Sequence, residues 1–158
     1  MTKGGWLDEK EISKLNELEN IGIGSHCWIS KNAYLDRHGE LIIGNDSTIT
    51  SGVKILTHDA SPRIAGLMPF LEKTKIGSNV FIGINSIILS GVTIKNNVII
   101  GSGSVVTKDI PPNVVVAGNP ARIIKTLDEY REKILRKKKT TGDHGLKKLF
   151  KKTIQALK

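Results

Sequence analysis

The stretch KIGSNVFIGINSIILSGVTIKNNVIIGSGSVV, residues 75–106, carries an aliphatic side chain at every sixth position: Ile76, Ile82, Ile88, Ile94, Ile100 and Val106. A spacing of six is neither the 2 of a one-face strand nor the 3.6 of an amphipathic helix. It fits a short strand followed by a bend, laid along one side of a three-sided prism. Outward from this block the same spacing recurs at Ile43, Ile49 and Ile55, and earlier at Ile23, Ile29 and Leu35, making twelve hexads in three blocks. Two residues, Gly39 and Glu40, are inserted after the first block, and an excursion over residues 59–73 follows the second. Three hexads close one coil, so twelve predict about four coils stacked around a continuous aliphatic file.

The remaining hexad positions agree. Glycine follows the aliphatic residue at Gly24, Gly44, Gly77, Gly83 and Gly101, and small or β-branched residues stand two before it, as at Cys27, Ala33, Ser47, Val53, Val80, Ser86, Val92, Val98 and Ser104. Asn45-Asp46, Ser78-Asn79 and Asn96-Asn97 supply turn residues. The glycines and Asn/Asp residues are expected where the bend needs positive φ or close backbone approach. A β-sandwich of Ile-rich strands would lose this register within a few strands.

Aromatic residues make up only 4% of the chain, so its core is expected to be aliphatic. With 158 residues the chain is about one domain long. No apolar run is long enough for a spanning helix, and the N-terminal MTKGGWLDEKEISKL lacks the apolar core of a signal peptide. The single cysteine, Cys27, excludes an internal disulfide, suits a reducing cytoplasm and is read as packing. The net charge of +9 is uneven: residues 1–121 hold 11 basic and 11 acidic side chains, residues 122–158 hold 13 and 4. A neutral body with a basic tail points to an anionic partner for the tail and not to a nucleic-acid-binding fold.

The organisation expected is an N-terminal segment over 1–20, the coiled domain over 21–120 and a basic helical tail over 121–158. Pro111 and Pro112 are expected to end the ladder. Residues 121–137 read as a helix with Ile123, Ile124, Leu127, Ile134 and Leu135 on one face, and residues 137–145 as a linker. Residues 146–158 read as a second helix, with Leu146, Leu149, Phe150, Ile154 and Leu157 opposite five lysines.

With the hexads, the segments ILTHDAS at 55–61, KIGSNVFIG at 75–83 and GSGSVVTKDIPPNVVVAGNPARIIK at 101–125 make the chain resemble the hexapeptide-repeat acyltransferases, in their maltose, galactoside and polysaccharide O-acetyltransferase branch. The resemblance runs from about Ile21 to Lys125. It implies an all-β fold, a left-handed parallel β-helix, assembled as a homotrimer with active sites between neighbouring prisms. It further implies acetyl-CoA as co-substrate and a saccharide as acceptor, with no metal.

The resemblance also assigns residues. His58 matches the catalytic histidine. An alcohol needs a positioned base to take its proton as it attacks a thioester, and imidazole is suited to that task. Asn32 matches an asparagine brought from the adjoining subunit to hold the acceptor, and the backbone N–H of Ile84 matches the oxyanion donor, although relatives often carry a smaller residue there. Asp59 and Phe81 fall to the acceptor side, with Phe81 in the place of a tryptophan that walls the site. Gly83, Ser102, Thr107, Lys108, Arg122 and Lys125 match the CoA side, the first two letting the pantetheine arm lie close and the cations meeting phosphate.

His38 stands at the same hexad position as His58, one coil below, so the two are expected to be neighbours. This raises a metal site like that of the γ-class carbonic anhydrases, but His26, His38, His58 and His144 do not reproduce that family's spacing. The activity the resemblance implies is O-acetylation of a sugar, in cell-surface polysaccharide or lipopolysaccharide synthesis. N-acetylation of a nucleotide-linked amino sugar and a non-catalytic scaffold are the rivals. The protein is expected in the cytoplasm, with residues 146–158 resembling an interfacial helix for an anionic membrane surface.

Overall fold

The structure, a computed structural model, describes residues 5–140, and for 138–140 the backbone alone. The hexads build a parallel β-helix with three faces. The first face stacks Ile21–Ile23, Glu40–Ile43, Lys73–Ile76 and Thr93–Ile94. The second stacks Trp28–Ile29, Thr48–Ile49, Val80–Ile82, Val98–Ile100 and Val114–Ala117. The third stacks Tyr34–Leu35, Lys54–Ile55, Ile87–Ile88 and Val105–Val106. Every pairing among these strands is parallel, and the registers align the aliphatic hexad residues, as in Ile49↔Ile82↔Ile100.

The aliphatic file is the core. Ile29, Ile49, Ile55, Ile76, Ile82, Ile88, Ile94, Ile100 and Val106 have no solvent exposure. Buried serines at the corners satisfy backbone carbonyls: Ser47 donates to Gly77 O at 3.0 Å and Ser86 to Gly101 O at 3.0 Å. Cys27 packs as expected, its Sγ 3.1 Å from Gly44 O, and burial pushes its thiol pKa up.

The bends divide two tasks that the sequence reading had joined. At one corner positive φ falls on His26, Asp46, Asn79, Asn97 and Asn113, the last three linked by amide bonds of 2.8 and 3.0 Å. The hexad glycines serve close approach instead: a Cβ at Gly44 would lie 2.7 Å from Ser78 N in the next coil.

Two expectations are corrected. Pro111 and Pro112 do not end the ladder. Ile110 bridges to Ile94 and Val114–Ala117 continues the second face, because the prolines fall between faces, where no ladder donor is needed. Residues 122–126 are not the start of a helix. Arg122–Thr126 runs antiparallel along Val114–Ala117, covering an edge that would otherwise leave unpaired backbone groups.

A helix, α1 (Glu9–Asn16), precedes the first coil and opens with a reciprocal Asp8–Glu11 capping box. Leu7, Ile12 and Leu15 pack against the core, and Trp6 meets Trp28 edge-on at 6.0 Å. The excursion pairs His58–Asp59 with Phe70–Leu71 around a 3-10 turn, Ser61–Ala65.

A second compact unit begins at Asp128. Its helix, α2 (Leu127–Thr140), carries Asp128 and Glu129 in its first turn and runs into the expected linker. The expected helix over 146–158 lies outside the described residues. No helix among the described residues is long and apolar enough to cross a membrane.

Candidate active site

The site forms where the chain leaves the third face. Asp36 follows Leu35 in the first coil, and Thr57-His58 follow Ile55 in the second. The parallel register Leu35↔Ile55 lays one segment on the other. Asp36 has no solvent exposure. Its Oδ2 lies 2.5 Å from His58 Nδ1 and accepts the Thr57 N–H at 2.8 Å. Its Oδ1 lies 2.6 Å from His38 Nδ1 and accepts the His38 N–H at 3.3 Å.

Burial pushes the Asp36 carboxyl pKa up. Hydrogen bonds from His38, the Thr57 N–H and His58 outweigh burial and hold it well below the usual carboxylate range. An ionised carboxylate only accepts. Both imidazoles therefore donate Nδ1–H, and each neutral ring keeps its lone pair on Nε2. For His58, whose side chain is 28% exposed, this is the arrangement of a general base.

Asp36, unassigned in the sequence reading, is thus the centre of the cluster. Its signal was available: a carboxylate directly after the aliphatic residue of a hexad, where the chain elsewhere has Gly, Ser, Thr, Leu or Lys. The expected closeness of His38 and His58 is met, with ring centroids 4.2 Å apart. Ligand atoms of Asp36, His38 and His58 lie within 4.8 Å of one another. A tetrahedral ion with bonds of about 2.0–2.2 Å would hold its ligand atoms roughly 3.3 Å apart. At 2.5 and 2.6 Å each Nδ1 is closer to the carboxylate than two ligands of one such ion would lie, in direct hydrogen-bonding contact.

The other expected residues fall into separate groups. Asn32, Gly83, Ile84 and Ser102 line the corner entering the third face, across that face from His58. There Gly83 touches the next coil, since a Cβ on it would meet Ser102 N at 2.6 Å. Ile84 is 51% exposed, and its backbone N–H has no acceptor among the described residues. Phe81 is exposed on the second face between Thr48 and Ile99.

Thr107 and Lys108 lie on the same corner as His58, two coils on, which is about 10 Å of strand spacing. Arg122 and Lys125 lie on the antiparallel end strand. Asp59 turns back on its own loop, where Oδ1 accepts the Ser61 N–H at 2.8 Å, and this bond holds its pKa low. One chain thus joins His58 to Asp36 and His38 and does not join it to Asn32 or Ile84.

The coiled prism, with its buried Asp36 against His58, finds its counterparts among transferases. The profile described as Bacterial transferase hexapeptide (six repeats) matches residues 73–108. Protein CapG of Staphylococcus aureus is 44% identical over 141 residues, covering 82% of this chain and 77% of its own. The galactoside O-acetyltransferase of Escherichia coli K12 is 39% identical over 117 residues, covering 67% of this chain and 57% of its own. A hexapeptide-repeat acetyltransferase of Vibrio cholerae, solved with acetyl coenzyme A, superimposes with a TM-score of 0.66 at 27% identity, over 77% of this chain and 79% of that one. The chain belongs to the hexapeptide-repeat acetyltransferase family.

Proposed function

We propose that this protein transfers acetyl from acetyl-CoA to a sugar hydroxyl in cell-surface polysaccharide synthesis. The observation that carries the reading is the Asp36–His58 pair at 2.5 Å, which leaves Nε2 of His58 free to take a proton. The acceptor oxygen attacks the thioester carbonyl as its proton moves to Nε2. The oxyanion that forms accepts the Ile84 N–H. Collapse breaks the C–S bond, and the proton passes from His58 to the departing thiolate of CoA. Asp36 stays ionised and steadies the transient imidazolium. The likeness to a galactoside O-acetyltransferase supports a sugar acceptor.

His58 and Ile84 stand on opposite edges of the third face, so the complete site needs a neighbouring copy, and a trimer supplies it. Gly83 and Ser102 take the pantetheine arm, with Thr107 beside them on the neighbour. Lys108, Arg122 and Lys125 meet the phosphates, while Asn32, Asp59 and Phe81 serve the acceptor. The protein works in the cytoplasm, its basic tail holding it to the anionic inner face of the membrane.

The test is H58A, assayed for CoA release with a panel of methyl glycosides and the matching amino sugars. The variant is expected to keep its fold and lose at least about a hundredfold in turnover. Wild-type turnover in H58A, or faster transfer to amines than to hydroxyls, would overturn the reading.

A further inference from the structure

Two imidazoles share the buried carboxylate, although removal of one proton needs only one. His38 is tied to Asp36 through both its ring and its backbone N–H, at 2.6 and 3.3 Å, so its ring is as fixed as that of His58. Its side chain is nevertheless 62% exposed. With Nδ1 committed to Asp36, each ring turns an Nε2 lone pair outward. The ring centroids are 4.2 Å apart and the planes are inclined at 44°. The site therefore offers two proton acceptors side by side.

A cleft of about 330 Å³ between α1 and the first coil has His38 in its lining and an apolar floor that includes Leu7, Leu15 and Leu35. Ser30, Lys31, Tyr34 and Arg37 help to line it. Tyr34 is 49% exposed and shares this lining, an aromatic ring of the kind that packs on the apolar face of a pyranose. Of the two paired histidines, His38 is the one that borders this cleft.

We propose that His38 is a specificity-determining residue: its Nε2 accepts a hydrogen bond from the hydroxyl next to the one that His58 deprotonates. The acceptor is then a vicinal diol, with the rest of its ring in the cleft beside Tyr34. This rests on the reading of His58 as the base. An acceptor lacking the neighbouring hydroxyl leaves His38 Nε2 unpaired within the closed complex and binds less well in the transition state.

The experiment measures kcat/KM for wild type, H38A, H38Q and H58A with methyl glycosides of galactose, glucose and mannose. It then uses the monodeoxy analogues of whichever glycoside is acetylated fastest. Wild type is expected to discriminate against one analogue deoxygenated beside the acetylated position by about tenfold or more. H38A and H38Q should lose rate on the parent glycoside and little on that analogue, so the discrimination collapses. A purely structural role for His38 would lower both rates together and leave their ratio unchanged, and that result overturns the proposal. Equal wild-type rates on the parent and every analogue also overturn it. H58A with wild-type turnover overturns the base reading underneath. Absence of transfer to any glycoside overturns the sugar acceptor and this inference with it.

Discussion

Replacing Asp36 with Asn keeps the shape of the side chain and removes its charge. The carboxylate accepts four hydrogen bonds, two at each oxygen. An amide accepts at one end and donates at the other. The buried Thr57 N–H cannot turn to water, so the amide oxygen should face Thr57 and His58. The amino group then faces His38, the more exposed ring at 62% against 28%. His58 keeps its Nδ1–H partner but loses the anion that steadies its imidazolium. Hydrogen bonds with a charged partner contribute about 1.5–3 kcal/mol, against about 0.5–1.5 for neutral ones. The deficit of about 1–2 kcal/mol corresponds to roughly 5–30-fold in kcat. Thiol-reactive detection of CoA release reads kcat, and circular dichroism checks the fold. A folded D36N enzyme within roughly twofold of wild type would refute the idea that this carboxylate assists the base.

The same substitution has a pH signature. The Asp36 pKa in the folded protein is lowered from that of the unfolded chain. Its stabilising contribution is therefore complete above the unfolded carboxylate range, about pH 4, and is lost as pH falls through the folded value. D36N lacks this limb. The melting temperature gap between wild type and D36N should narrow as pH drops below about 4, and a gap that widens instead contradicts the assignment.

Three further outcomes are expected. In G83A the new methyl would press on Ser102 N at 2.6 Å and Ile100 O at 2.9 Å, both backbone atoms. It should cost about 1–3 kcal/mol of stability and raise KM for acetyl-CoA more than for the sugar; an equal rise in both would remove Gly83 from the CoA side. If each site takes His58 from one chain and Asn32 from the next, refolding N32A and H58A together should restore about a quarter of wild-type activity from two inactive parents. A mixture no better than its parents points to a site within one chain. Removing residues 141–158 should leave transfer to a soluble glycoside intact while weakening binding to anionic vesicles, and unchanged binding would discard the membrane role of the tail.

The prism was legible because its signal is both repetitive and local. Ile76 through Val106 declare one interior file, a register that a sandwich of separate strands would lose. What failed lay at the ends, where tertiary context decides. Ile123 and Ile124 suit a helix face by spacing, but the open edge of Val114–Ala117 captured them as a strand. Within the site, His58 could be matched by its surrounding motif, and the nearness of His38 followed from counting hexads. Asp36 was missed because an Asp after a strand ordinarily reads as a solvated turn residue. Only the folded chain shows that a coil above it supplies Thr57 N–H and an imidazole, turning a surface-type residue into a buried anion.

The Asp36–His38–His58 cluster gathers where the hexad rule is broken. Three residues past the aliphatic position, successive coils carry His38, His58, Gly91 and Asp109. In the two coils that bear histidine, the chain departs from the repeat directly afterwards, first through Gly39-Glu40 and then through the excursion. A regular rung would turn at once into the next face and leave no room for two rings around a carboxylate. The two departures are fastened to each other at Thr57. Its backbone N–H binds Asp36 at 2.8 Å, its Oγ1 accepts the Gly39 N–H at 2.9 Å, and its carbonyl accepts the Glu72 N–H at 2.8 Å. A side chain at position 39 would collide with the carbonyl oxygens of Thr57 and Glu72. The inserted glycine is therefore more than a spacer: it lets the returning end of the excursion close against the segment that carries His58. The irregularity at this corner is held by the same segment whose hydrogen bonds to Asp36 fix His58.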